Sequence, residues 1–163
     1  MWIQRMVKLG MGALLALSLI GVDTPTQSNS VRAQGTGTFD CTPVTEIPQS
    51  ECEALVAFYT STDGDNWRNH SGWIQTYSPC MWYGLACDAG HVSRLEFYDN
   101  NLQGHLPEEL GTLTELAVLR LVHADLPGPM PASLTNLQRL QTLILLNVGL
   151  TGSLPPDIGK LTA

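Results

Sequence analysis

Four cysteines are the residues whose type and spacing most directly suggest chemistry in this chain: Cys41, Cys52, Cys80 and Cys87. An even count in an oxidising compartment indicates disulfides, and four cysteines allow three pairings. A tetrahedral zinc site is the alternative, but it is typical of close C-x2-C pairs, which are absent here. Because local loops are short and each pair lies in one segment, we predict Cys41 with Cys52 and Cys80 with Cys87, and no metal site.

The four histidines show no catalytic arrangement. No Ser, Cys or Asp stands at a recognisable catalytic spacing from any of them, which favours surface histidines and argues against an enzyme. The histidines are His70, His91, His105 and His123.

Two short motifs resemble functional sites but have simpler interpretations. Asp63, Asp65 and Asn66 suggest a calcium loop, but a glycine separates the two aspartates and the distal glutamate is missing, so we expect a turn. Residues 69–71 form a glycosylation sequon, and a single match in a chain of 163 residues is expected by chance.

The first 33 residues have the order of a secretory signal. Arg5 and Lys8 precede an apolar run of 14 residues from Leu9 to Val22, and a small residue, Ala33, closes the polar stretch that follows. A membrane anchor would need about 20 apolar residues. We therefore expect residues 1–33 to be removed and the protein to be secreted, extracellular or periplasmic, with no membrane insertion.

The expected mature chain is strongly acidic. Loss of Arg5, Lys8, Arg32 and Asp23 reduces eight Lys and Arg to five and fifteen Asp and Glu to fourteen, a formal charge of −9. Such a surface repels phosphate groups, which excludes nucleic acid and anionic membrane as partners.

The segment after the signal begins with small polar residues and then changes character. Residues 34–40 are expected to be a flexible N-terminus. Ser50 and Glu53 have the spacing of a capping box and predict a helix, which Gly64 is expected to end.

An irregular stretch then carries enough aromatic surface to require a core. Trp67, Trp73 and Trp82 expose too much apolar area to remain in water. The segments YGLAC and HVSRLEF follow as two short strand candidates. Asp88, Ala89 and Gly90 lie between them, a composition that predicts an antiparallel hairpin.

The region from residue 91 to residue 163 contains a repeat of 24 residues in three copies, at 92–115, 116–139 and 140–163. A heptad pattern or random leucine richness would not keep glycine and proline in phase, so the repeat predicts a stacked solenoid with one coil per copy. Matching positions include Leu95, Leu119 and Leu143, then Gly104, Gly128 and Gly152, then Pro107, Pro131 and Pro155.

Alternation within each copy predicts a short strand with leucines inward and the intervening residues outward. Tyr98, Val122 and Leu146 should form an apolar column among the outward residues, and exposed apolar groups in line can mark a contact surface. The candidate ligand-binding residues are Arg94, Glu96, Tyr98, Asp99, Val118, Arg120, Val122, His123, Thr142, Ile144, Leu146 and Asn147.

The repeat VSRLEFYDNNLQGHLPEELG resembles the plant-type leucine-rich-repeat motif LxxLxLxxNxLxGxIPxxLGx. The segments ALVAFYTSTDGDNWRNHSGW and PCMWYGLAC resemble the N-terminal cap of the same family, so the resemblance covers residues 41–163. It implies an α/β fold: a right-handed solenoid with a concave parallel sheet, and a cap at 41–90 made of a helix and a hairpin, with a Cys80–Cys87 disulfide.

The resemblance also implies a class of function. Members of the family bind proteins, peptides or glycans, and no cofactor is expected. The alternatives are a structural or adhesive component of the cell envelope and an inhibitor of a secreted wall-degrading enzyme.

The sequence departs from the family pattern at two places. The turn asparagine is present as Asn100 but is replaced by Ala124 and Val148, so water or a local rearrangement must satisfy the turn backbone. Asn147 lies one position early. No capping segment follows the third copy, which predicts a truncated reading frame or self-association through the uncapped repeat.

Overall fold

The computed structural model describes residues 39–160, which contain one helix and a four-stranded sheet. The helix is α1 (Gln49–Ser61), and the strands are β1 (Leu85–Asp88), β2 (His91–Tyr98), β3 (Val118–Val122) and β4 (Thr142–Leu146), in the spatial order β1-β2-β3-β4. The predicted signal at 1–33 and most of the predicted flexible segment at 34–40 lie outside the described residues. The remaining regular elements are short 3-10 helices, at Gly64–Asn66, Pro79–Met81, Glu108–Thr112, Ala132–Asn136 and Pro156–Lys160.

Parallel pairing follows the 24-residue period without a shift. Leu95 pairs with Leu119, and Leu119 pairs with Leu143, each partner lying one repeat along the chain. The 3-10 helices Glu108–Thr112 and Ala132–Asn136 occupy equivalent positions on the return legs. The predicted solenoid of one coil per repeat is therefore confirmed.

The inward residues of the strands form the core of the coils. Leu95 and Leu119 are 0% exposed, and Leu121 is equally buried. Leu143 and Leu145 of β4 are only partly buried, because no coil of the described chain packs beyond them. Burial of each coil therefore depends on its neighbours.

An aromatic cluster from the cap covers the first coil. Trp67 lies 4.8 Å from Phe97, ring centroid to centroid, and Phe58 of α1 lies 5.8 Å from the same ring. Trp73 contacts Trp82 at 5.0 Å, and both are essentially inaccessible to solvent. The tryptophans thus pack onto the core, as their apolar area predicts.

Cap packing begins at the first described residue, Phe39. Its ring lies 5.3 Å from Tyr77 and 5.6 Å from Trp82. The sequence places the start of the cap at Cys41. Packing against the cap therefore begins two residues before the predicted boundary.

Both predicted disulfides are confirmed. Cys41 bonds to Cys52 and so joins the start of the cap to α1, and Cys80 bonds to Cys87 and joins the 3-10 helix Pro79–Met81 to β1. On the chain-entropy model, each short loop contributes about 2.5 to 3 kcal/mol to stability. The two bonds therefore fix the segments of the cap that have little regular structure.

The predicted capping box at the start of the helix is wrong. The helix begins at Gln49, directly after Pro48, and no side chain caps its first backbone N–H groups. Ser50 therefore lies inside the first turn. Glu53 instead accepts a hydrogen bond of 2.7 Å from the Gln49 side chain.

Gly64 does not end the helix, which stops at Ser61. The backbone N–H and the hydroxyl of Thr62 both donate to the Phe58 carbonyl and close the last turn. Gly64 begins the 3-10 helix that follows, at a position where a Cβ would lie 2.3 Å from the Tyr59 ring. The glycine is required by close packing rather than by helix termination.

The predicted hairpin joins β1 to β2 through a turn of two residues. Asp88 pairs with His91 across the turn, so Asp88 belongs to the strand. Ala89 and Gly90 have φ values of 49° and 82°. A two-residue hairpin turn of type I′ requires this left-handed conformation at both central residues.

Asn100 ties the first coil to the cap. It is 3% exposed, accepts a hydrogen bond of 2.8 Å from the Asn69 N–H and donates one of 2.9 Å to the Asn69 carbonyl. Where the asparagine is replaced, backbone groups bond to each other: Ala124 N–H donates to the Asn147 carbonyl at 3.1 Å. This backbone bond joins adjacent coils at the turn. The local rearrangement or water expected in place of the asparagine side chain stays a prediction.

We predict that Leu121→Ala lowers the free energy of unfolding by about 2 to 5 kcal/mol, because Leu121 is fully buried between coils and its truncation leaves a cavity. Its outward neighbour provides the control. Arg120→Ala should cost less than about 1 kcal/mol, since its ion pair is partly exposed. Denaturant unfolding measures both, and equal losses would mean that the strand faces are reversed.

We also predict that Asn100→Ala lowers stability by about 1 to 3 kcal/mol, because it removes both partners of the Asn69 backbone. Gln103→Ala, at an exposed position of the same turn, is the control. Indistinguishable melting temperatures for the two variants would contradict this role of Asn100.

Candidate binding surface

The outward residues of the three parallel strands lie in register and form one surface, which we call the concave strip. Strand pairing places them in three rows across the sheet. The rows are Arg94, Val118 and Thr142; Glu96, Arg120 and Ile144; and Tyr98, Val122 and Leu146.

Arg120 is the polar centre of the concave strip. Its Nη1 lies 2.9 Å from the Glu96 carboxylate and also donates to the Tyr98 hydroxyl. The guanidinium carbon is 5.8 Å from the centroid of the Tyr98 ring, within range of a cation–π contact. The Tyr98 hydrogen bond raises the pKa of Arg120, and the Glu96 charge acts in the same direction. The hydrogen bond and the ion pair hold the guanidinium in place.

The third row leaves apolar groups facing solvent. Tyr98 is 48% exposed and Leu146 is 52% exposed, with the half-buried Val122 between them. Ile144, next to Arg120 in the second row, is 36% exposed. The strip therefore places an apolar patch next to the Arg120 guanidinium at its centre.

In each repeat, the last of the candidate ligand-binding residues lies directly after the end of the strand. Asp99, His123 and Asn147 are exposed and have φ values of 47°, 57° and 53°, in the left-handed region. His123 Nδ1 lies 2.8 Å from a carboxylate oxygen of Asp99. Arg68 of the cap donates to the Asp99 carbonyl. These residues form a polar border at the carboxyl ends of the strands.

The Asp63 motif forms a turn, as predicted. The Asn66 side-chain amide donates to both carboxylate oxygens of Asp63 at 3.0 Å, and Asp63 has a left-handed φ of 58°. Across residues 39–160, no cluster of three or more His, Cys, Asp or Glu side chains suited to a metal ion is found. Within the same range, no helix combines the length and hydropathy needed to cross a membrane.

A buried carboxylate that the sequence did not reveal joins the helix to the first repeat. Glu51 is 3% exposed. One carboxylate oxygen lies 2.6 Å from His91 Nδ1, and the other accepts a hydrogen bond of 2.8 Å from the Val92 N–H. The partners are 40 and 41 residues away in sequence. No local pattern marks such a contact, because both partners lie in another element.

His91 occupies a charged junction between the cap and the coils. The hydrogen bond to Glu51 raises the pKa of His91, the nearby Glu115 also raises it, and Arg139 lowers it. Glu115 and Arg139 form an ion pair at 3.0 Å. The four groups belong to the helix, to β2 and to the segments that lead into β3 and β4.

We predict that protonated His91 stabilises the fold and that this contribution is lost as the pH rises. The folded pKa lies above the unfolded value of about 6.5, so the contribution is complete below that value and disappears as the pH passes through the folded pKa. Melting temperature against pH should therefore fall more steeply for wild type than for His91→Gln. His105→Gln, at an exposed site, should keep the wild-type slope; identical slopes for all three would refute the role of His91.

Comparison with known proteins connects the cap and the coils to one family. Residues 48–88 match the leucine rich repeat N-terminal domain. Leucine-rich repeat protein 2 of Arabidopsis thaliana is 41% identical over 75 residues, which cover 44% of this chain and 34% of that protein. For two receptor kinases of the same plant, the matched segments span only 11% and 10% of their length.

Solved structures agree in fold over most of the chain. The BIR2 ectodomain from Arabidopsis thaliana is 28% identical with a TM-score of 0.53, over 72% of this chain and 64% of that one. The leucine-rich-repeat ectodomain of GASSHO1/SCHENGEN3 from the same plant, in complex with CASPARIAN STRIP INTEGRITY FACTOR 2, is 26% identical with a TM-score of 0.52, over 68% of this chain and 14% of that one. The matched cap, the 24-residue coils and the shared ectodomain fold make the chain similar to plant leucine-rich-repeat proteins that carry this N-terminal domain.

Proposed function

We propose that this chain is an extracellular binding module that holds a short, extended peptide segment across its concave strip. The observation that carries the proposal is the exposed apolar row of Tyr98, Val122 and Leu146 beside the fixed guanidinium of Arg120. The apolar row would bury side chains of the ligand, and Arg120 with Glu96 would orient its polar groups.

The dimensions of the strip favour a peptide over a folded protein. Three strands about 4.8 Å apart, each exposing a few residues at about 3.3 Å rise, present only a few hundred Å². A stable interface between folded proteins needs roughly 800 Å² on each side. The strip alone therefore matches a segment of a few residues, and its affinity for such a segment is modest.

The relatives and the chemistry of the cap support this proposal at a coarser level. The solved GASSHO1/SCHENGEN3 ectodomain, which shares the fold, is in complex with CASPARIAN STRIP INTEGRITY FACTOR 2, so a related ectodomain has a binding partner. The two disulfides fit an oxidising compartment outside the cytosol. We infer a non-catalytic role as well, since solenoids use their extended concave surfaces for binding.

The test is selection of a displayed heptapeptide library against the secreted protein, followed by titration of the enriched sequence. We expect enriched peptides to carry alternating apolar residues. Leu146→Ser should weaken their binding by about fivefold, because about half of a leucine's burial energy of roughly 1.5 to 3 kcal/mol is lost. Leu154→Ser is the matched control, since Leu154 is 64% exposed but lies outside the strands.

Peptides that bind Leu146→Ser and Leu154→Ser with the same affinity as wild type would contradict binding at the strip. An enriched sequence without apolar residues would contradict the proposed role of the apolar row. Self-association through the last coil stays a prediction. Sedimentation velocity on the same protein tests whether it self-associates.

A further inference from the structure

A groove runs along the outer side of helix α1, away from the concave strip. It consists of two adjoining cavities of about 380 Å³ and about 270 Å³ that share Phe39 and Val56 as lining residues. Ile74 and Tyr59 add apolar surface at one end. We call this feature the cap groove. The larger cavity falls within the range of about 300 to 1,000 Å³ that is typical of small-ligand sites, and the smaller cavity lies just below it.

Carboxylates border the cap groove at both ends. Asp40 and Glu53 line the first cavity, and Asp63 and Asp65 line the second. Among the residues that the structure describes, no lysine or arginine lines either cavity. The groove therefore has an apolar centre between two acidic ends.

The four carboxylates are hydrogen-bonded but not neutralised. Their donors are uncharged: Thr42 for Asp40, Gln49 for Glu53, Asn66 for Asp63 and Tyr59 for Asp65. The ion pairs found among the described residues involve other acids, at positions 51, 96, 99 and 115. The hydrogen bonds hold the carboxylates in position and leave their negative charge for a cationic partner.

The length of the cap groove sets the size of its occupant. From Gln49 to Thr60 a helix rises about 16 Å, which an extended chain covers in about five residues. An occupant that matches both the charge and the length carries a cation at each end and an apolar side chain between them.

The geometry points to the cap groove as a docking site for a basic peptide segment of about five residues, with its apolar side chain between Phe39 and Val56 and a lysine or arginine at each acidic end. This site is separate from the concave strip, so the chain has two surfaces for polypeptide partners. Binding at the cap groove depends on charge and weakens as ionic strength rises.

The probe is a blocked pentapeptide, Lys-Thr-Leu-Thr-Lys, titrated into the full-length secreted protein labelled with ¹⁵N. We expect amide shifts at Glu53, Val56 and Thr60, and none on β4. The peptides Glu-Thr-Leu-Thr-Glu and Lys-Thr-Thr-Thr-Lys separate the two requirements. The first should not bind, and the second should bind more weakly than the probe.

Two double variants separate the cap groove from the general acidity of the protein. E53Q/D63N removes one carboxylate from each end and should weaken binding at least about threefold, since an exposed charge pair accounts for a factor of up to about five. D88N/E109Q removes two exposed carboxylates outside the groove and should leave binding unchanged. Thermal melting confirms that both variants are folded.

Equal weakening by the two double variants, or no binding of the probe by wild type, overturns the proposal. If groove amides shift on dilution of the protein alone, the occupant is a second copy of the chain and the proposal fails. It fails too if the probe binds only after residues 34–38 are deleted, because the chain's own N-terminal segment then fills the groove. Shifts on β4 without shifts on α1 would support the concave strip and reject the cap groove.

Discussion

Each coil of this solenoid buries its inward leucines only against the coil beside it. In the described part of the chain, the cap rather than another repeat precedes the first coil. The aromatic cluster of Trp67, Trp73 and Phe58 covers that side by packing on Phe97. The two disulfides anchor the elements on either side of these rings, because Cys52 lies on α1 and Cys80 follows the segment that carries the two tryptophans. The cap thus stabilises the first coil, and each coil stabilises the next through nearest-neighbour contacts, as in other repeat proteins.

The same stacking builds the proposed binding surface, because a fixed period places outward residues in rows. Once Leu95, Leu119 and Leu143 are stacked, Tyr98, Val122 and Leu146 must also align, whatever their side chains contact. The backbone of the strip is therefore already ordered by strand pairing, which lowers the entropy lost when the proposed ligand binds. Its small extent suits a short segment, the partner proposed above. The cap groove, with its acidic ends, would add to affinity if one partner engaged both surfaces.

The repeat fold was predictable because glycine, proline and leucine stay in phase, and the disulfides because each pair is close in sequence. The helix start was predicted wrongly: Ser50 and Glu53 have the right spacing for a capping box, but Pro48 starts the helix earlier and Gln49 binds Glu53. Contacts between distant elements gave no local signal. The Arg120–Tyr98 bond and the Glu51–His91 bond depend on how elements pack, and the cap groove depends on where Phe39 settles on α1.

Native-state hydrogen exchange tests the central claim, that stability is transmitted from the cap through successive coils. Opening free energies of strand amides should be highest in β2, which the cap covers, intermediate in β3, and lowest in β4, whose inward Leu143 and Leu145 are only partly buried. Amides of β4 that are as protected as those of β2 would contradict the account, because they would show that the coils are stable without the neighbour that buries them.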